Sequence, residues 1–258
     1  MRGLPQPPDQ PTVEGCAVIE LSDDSADVEY LLKALYIPSF HCEKALPLPV
    51  IGALLRLGRK YDIKYLFDSA VARLTSEFPA TLQEYDIAQS SNLEQGIQGS
   101  STPFDIITLA HENQIFTVLP VAYFWAASYT PGTLFEINDN QGIPPIPPIH
   151  LRRWISGRES LITKQLLPSY VLGWIAKWDF KDCTTMVTCR TLREAIFGTC
   201  LRERLMLALT KGEGWVTHLC QNCRGHAEKL MSAGREKIWN ELPEIFDRPP
   251  WAELKNDW

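Results

Sequence analysis

The chain has 258 residues, 45% of them apolar and 22% charged, with a formal net charge of −6. That apolar fraction supplies a core for one large or two ordinary domains and excludes wholesale disorder. The acidic balance and scattered lysines and arginines exclude a nucleic-acid surface as the main business, because phosphate contacts need concentrated basic side chains.

In chain order, residues 1–14 are rich in Pro and Gln and lack the apolar stretch of a signal peptide. Val18-Ile19-Glu20-Leu21 reads as a short strand, and Ser22-Asp23-Asp24-Ser25 supplies N-cap chemistry for a helix over Asp27–Tyr36. Val28, Leu31, Leu32, Leu35 and Tyr36 recur along that helix as one stripe, and Pro38 ends it. A second helix runs over Pro49–Ile63 with Val50, Ile51, Leu54, Leu55, Gly58 and Tyr61 on its apolar side. A third runs over Lys64–Phe78 with Phe67, Ala70, Val71, Leu74 and Phe78, stopped by Pro79.

Beyond these, residues 89–103 read as a flexible Gly/Ser-rich loop, and residues 143–148 as a stiff Pro-rich segment. Phe104–His111 and Pro120–Ser128 read as short buried helices. Helix is expected again over 149–207, with Trp154, Leu161, Leu166, Leu167, Trp174, Ile175 and Trp178 as core, and over 216–240. Trp251 and Trp258 are expected to be exposed near the end. The longest apolar run, Val118 to Ala127, contains Pro120 and falls well short of the roughly 20 residues that cross a bilayer. The expectation is an intracellular protein of cytoplasm or nucleus, with no membrane partner.

Seven cysteines in such a chain point to reduced thiols or a metal site rather than a disulfide framework. Cys220-Gln-Asn-Cys223 is the sharpest motif, since a C-x2-C turn aims two thiolates at one ion. Cys183 and Cys189 supply a second pair, and His218 and His226 are reserve ligands. A structural zinc ion on Cys183, Cys189, Cys220 and Cys223 stands beside the alternative of small buried thiols. Hydrolase, zinc-protease, P-loop and dinucleotide readings fail for lack of parts. There is no Gly-x-Ser-x-Gly elbow, His111-Glu112 has no second His four residues after the first, and Lys211-Gly-Glu-Gly214 has no third glycine.

Leu32-Lys-Ala-Leu-Tyr36, Leu57-Gly-Arg-Lys-Tyr-Asp-Ile63, Arg73-Leu74 and Phe78-Pro79 together resemble the second half of a BTB/POZ domain of the kind found in fungal proteins. The same proteins commonly end in a pattern matched by Gly234-Arg235, Trp239, Leu242-Pro243, Phe246, Trp251 and Leu254. The resemblance implies a mainly α chain: the C-terminal half of a BTB/POZ-like domain (α+β) over 1–82, then an all-α region over 83–258. The family's first strands and dimer-forming helix would precede Leu4. It also implies a non-enzymatic protein-interaction module, an adaptor in ubiquitin-ligase or transcriptional-regulatory assemblies. The partner would be a second copy or a cullin-type scaffold, met through Leu31, Leu35, Tyr36, Leu54, Tyr61 and Phe67. The alternatives are a zinc-stabilised helical adaptor using the cysteine-bearing tail, or an enzyme with no recognisable motif.

Overall fold

The computed structural model describes residues 12–37, 39–40, 43–90, 97–98, 102–140, 146–177, 180–212 and 214–257. Trp178, Trp258, and much of the expected leading segment, Gly/Ser loop and Pro-rich segment lie outside the described residues. The fold is mainly α. Two-residue strands β1 (Thr12–Val13) and β2 (Cys16–Ala17) pair as a hairpin. There follow α1 (Ser25–Tyr36), β3 (Leu46–Pro47), α2 (Leu48–Lys60), α3 (Lys64–Glu77), α4 (Leu82–Ser90) and β4 (Ile97–Gln98), which pairs in parallel with β3. Then come α5 (Pro103–Glu112), a 3-10 turn (Phe116–Val118), α6 (Leu119–Ala127), α7 (Pro131–Asn140), α8 (Pro148–Lys164), α9 (Gly173–Ala176), α10 (Met186–Glu203) and α11 (Gln221–Ile245). Among the described residues no helix is long and apolar enough to cross a membrane.

The strand expected at Val18–Leu21 is absent, and Val18, Ile19 and Leu21 are exposed. Pairing occurs one turn earlier. Glu14 and Gly15 both take positive φ, 50° and 79°, which is what a two-residue hairpin turn requires. That turn sets Val13 opposite Cys16.

α1 packs on α2 and α2 on α3. Asp24 caps α1, accepting from the amides of Ala26 and Asp27. Asp27 then turns into the α1–α2 contact, where Arg56 Nε and Nη2 each donate to its carboxylate at 2.7 Å. This ion pair fixes the rotation of α1. It turns Leu31 and Ala34 inward and leaves Leu35 and Tyr36 outside, 42% and 81% exposed. The six residues expected to form an interaction surface therefore separate. Leu31, Leu54 and Phe67 are buried core and have no accessible face to offer, whereas Leu35, Tyr36 and Tyr61 are exposed.

What covers the inner faces of α1–α3 is the rest of the chain. One buried cluster runs from Leu31 through Phe104, Tyr123 and Trp154 to Phe246, on both sides of position 82. At its centre lies α6, apolar on every side and buried at every position but the half-buried Trp125. α5 and α8 flank α6, and the C-terminal half of α11 lies against both α6 and α8.

The terminal pattern closes this core. Arg235 donates to the Leu209 carbonyl at 2.9 Å and pairs with Asp86 of α4. Trp239 stacks on Trp251 at 5.4 Å, and the Trp251 indole N–H donates to the Trp239 carbonyl at 2.7 Å. Trp251 is thus half-buried, because its ring has a partner twelve residues back. Pro243 sits in the last turn of α11, where its carbonyl accepts from the amides of Phe246 and Arg248 around Asp247 at φ 55°.

A second, smaller cluster gathers Val171, Leu172, Trp174 and Ile175 with Ile196 and Cys200 of α10. Val216, Leu219, Ala227 and Met231 complete it, and Cys189 and Cys223 are buried at its edge.

Candidate metal centre

Cys183, Cys189, Cys220 and Cys223 converge, with their Sγ atoms all within 4.8 Å of one another. Two helix starts bring them there. Thr185 is the N-cap of α10, and its carbonyl accepts from the Cys189 amide in the first turn at 3.0 Å; Cys183 lies in the loop before it. Cys220 is the N-cap of α11 and Cys223 stands in that helix's first turn. A C-x2-C pair at these positions projects both sulfurs past the helix start, where the unpaired amides and the dipole carry partial positive charge.

Hydrogen bonds tie the two starts together. The Cys220 amide donates to Cys189 Sγ at 3.3 Å, and the Thr185 hydroxyl lies 3.3 Å from the same sulfur. Asn222 Nδ2 donates to the Asp182 carbonyl at 2.8 Å, joining α11 to the Cys183 loop. The cluster is half sealed: Cys189 and Cys223 are fully buried, and Cys183 and Cys220 are partly exposed.

The electrostatics are uneven. The amides of Cys223 and Thr184 beside its sulfur draw the Cys220 thiol down to about 5. Burial pushes Cys223 well above the usual thiol range, reinforced by the sulfurs of Cys183 and Cys220, and burial also raises Cys183. Four sulfurs packed this closely resist shared ionisation, and a divalent cation removes that conflict because coordinated thiols are deprotonated outright. The geometry suits such an ion. Zinc–sulfur bonds of about 2.3 Å in a tetrahedron place the sulfurs about 3.8 Å apart, and Cys183 and Cys220 stand 4.0 Å apart. Four thiolates and no open position describe a closed structural site for zinc rather than a catalytic one.

The four cysteines singled out from the sequence are thus brought together. The reserve ligands are not among them: His218 is exposed, and His226 stacks on Phe180 at 5.1 Å. Sequence reasoning missed Thr185 and Asn222. The only signal for Thr185 is a hydroxyl residue four before a cysteine; the start of α10 there falls inside the stretch 149–207 expected to be helical.

Away from the cysteines, His150 is among the polar residues buried in the structure. His150, in the first turn of α8, has its Nδ1 2.6 Å from the Tyr123 hydroxyl and its ring against that of His111 at 4.9 Å. Burial, then the charges of His111, Arg153 and Arg248, pull His150 down to about 4, so it is neutral at physiological pH. Tyr123 stacks on Phe246 at 5.3 Å, which joins this group to the terminal pattern.

Compared with known proteins, the chain matches no family model, no curated protein and no solved structure.

Proposed function

We propose that the chain is a non-enzymatic helical interaction protein whose C-terminal part is held by one structural zinc ion on Cys183, Cys189, Cys220 and Cys223. The observation that carries this reading is the convergence of four sulfurs within 4.8 Å at the starts of two helices. The small core beside them is modest, and a metal that binds only the folded arrangement adds its binding free energy to folding. A closed four-sulfur site offers no position to a substrate, which favours a scaffold over a catalyst.

Two features support the interaction half of the reading. One is the likeness of residues 15–79 to part of a BTB/POZ domain, a class of adaptor that pairs with itself or with cullin-type scaffolds. The other is the exposure of Leu35 and Tyr36 at the C-terminal end of α1, and of Tyr61 just past α2, where its hydroxyl donates to Asp23 at the opposite end of α1.

Metal analysis of the full chain, purified under reducing conditions, tests the zinc assignment. The expected result is one zinc per chain in a colourless protein, with Cys220→Ser and Cys223→Ser each losing the metal and melting earlier. A metal-free wild type as stable as a chelator-treated sample overturns it. Light scattering on the same sample tests self-pairing. A concentration-dependent dimer that Tyr36→Glu weakens supports it, and a monomer at every concentration rules out a second copy as the partner.

A further inference from the structure

The four sulfurs are not equivalent toward solvent. Cys189 and Cys223 are fully buried in the small core, whereas Cys183 and Cys220 are partly exposed and only 4.0 Å apart. Cys189 is also held in place by the Cys220 amide and the Thr185 hydroxyl. Cys183 and Cys220 sit in a loop and at an N-cap, outside the helical hydrogen-bond ladder. Their sulfurs need to close by about 2 Å to reach disulfide length.

We propose that the Cys183–Cys220 pair is an oxidation site for hydrogen peroxide and that its disulfide releases the zinc. This rests on the zinc assignment above. In the first step the Cys220 sulfur attacks one peroxide oxygen, the O–O bond breaks, and hydroxide leaves, so that Cys220 becomes a sulfenic acid. Cys183 then attacks the Cys220 sulfur, the S–O bond breaks, and a second hydroxide leaves as the S–S bond forms. The product is the same if Cys183 reacts first. Two electrons pass from the sulfurs to peroxide, and two solvent protons convert the two hydroxides to water. Zinc is left on Cys189 and Cys223 alone, half of its ligand set, and departs while those two take up protons as thiols.

The buried pair defines the selectivity. Peroxide reaches the rim, and the inner thiols stay reduced, so a thiol reductant and zinc restore the centre. Cys16 supplies an internal reference, being exposed and outside the cluster.

The test uses the zinc-loaded full chain. Peroxide is added at intervals, zinc release is followed with a chromogenic chelator, free thiols are blocked, and the protein is digested with trypsin. The cysteines fall in peptides 182–190 and 212–224, two in each, so fragmentation of the cross-linked pair assigns the bond. Expected is one zinc released in step with a Cys183–Cys220 disulfide, Cys189 and Cys223 recovered as blocked thiols, and Cys16, which lies outside the four-sulfur cluster, oxidised more slowly. Reductant plus zinc should return the starting protein. A bond between Cys189 and Cys223, or oxidation of Cys16 while zinc is retained, overturns the proposal. A chain that holds zinc but keeps it under peroxide defeats this inference alone. A chain isolated without zinc defeats the metal assignment and this inference together.

Discussion

At the scale of single residues, the buried histidine makes a sharp claim about acid stability. In the unfolded chain a histidine titrates near its ordinary value of 6.5, and in the folded chain His150 is held down to about 4. Between these values the unfolded state takes up the proton first. The stability that His150 contributes is therefore complete above pH 6.5 and is lost as the pH falls toward 4, with a slope of at most about 1.4 kcal/mol per pH unit. His111 is lowered in the same sense, chiefly by burial. His150→Gln keeps a polar partner for Tyr123 and removes the titration. Denaturant unfolding at pH 7.5 and at pH 5 should show a smaller loss in the variant than in the wild type. Equal losses in both would place the acid sensitivity elsewhere.

At the scale of elements, α11 is fixed by a glycine. A Cβ on Gly234 would lie 2.3 Å from the Val171 nitrogen and 2.5 Å from the Tyr170 carbonyl carbon. Those are backbone atoms that cannot swing aside. Helix propensity alone predicts that Gly234→Ala stabilises by up to about 1 kcal/mol. The close approach predicts the opposite sign, a loss of about 2 kcal/mol or more. Thermal melting of the two proteins decides between them. The same contact shows what the sequence made legible. The stripes of α2 and α3 and the buried α5 and α6 were readable, because period and proline punctuation act locally. The α1 stripe was not, since Leu32, Leu35 and Tyr36 turn outward while Asp27 and Ala34 turn in, and Trp251, expected exposed, is half-buried against Trp239. α4 was missed because Leu82, Gln83 and Tyr85 form no clean stripe, and none of its residues is fully buried. The hairpin was missed because its signal is the backbone of Glu14-Gly15 rather than the alternation of Val18–Leu21. The two cysteine pairs were legible as spacings. Their meeting depends on how α10 is set against α11, which the spacings alone do not state.

At the scale of the whole molecule, two buried clusters of unequal size share one chain, and only the smaller adjoins the cysteines. Zinc removal should therefore act unevenly. Hydrogen exchange with and without a chelator should show protection lost in α10 and in the first half of α11, while α2 and α6 keep theirs. Uniform loss across both clusters would mean that the metal supports the entire fold. Unchanged protection would mean that the small core stands without it. The exposed Leu35, Tyr36 and Tyr61 lie on the larger cluster's side, so an interaction through them should survive demetallation.

The 25-residue length of α11 has a kinetic consequence. Cys223, Ala227 and Met231 on its first half belong to the small core, and Ile238, Trp239 and Leu242 on its second half to the large one. If the metal end frays, the distal turns remain helical and anchored. Re-forming the cysteine end is then elongation from an existing helix, one hydrogen bond per residue, without the roughly thousandfold penalty of nucleation. The molecule carries its own template for rebuilding the site, and the encounter with zinc, rather than a search by the chain, would set the pace of metal recapture.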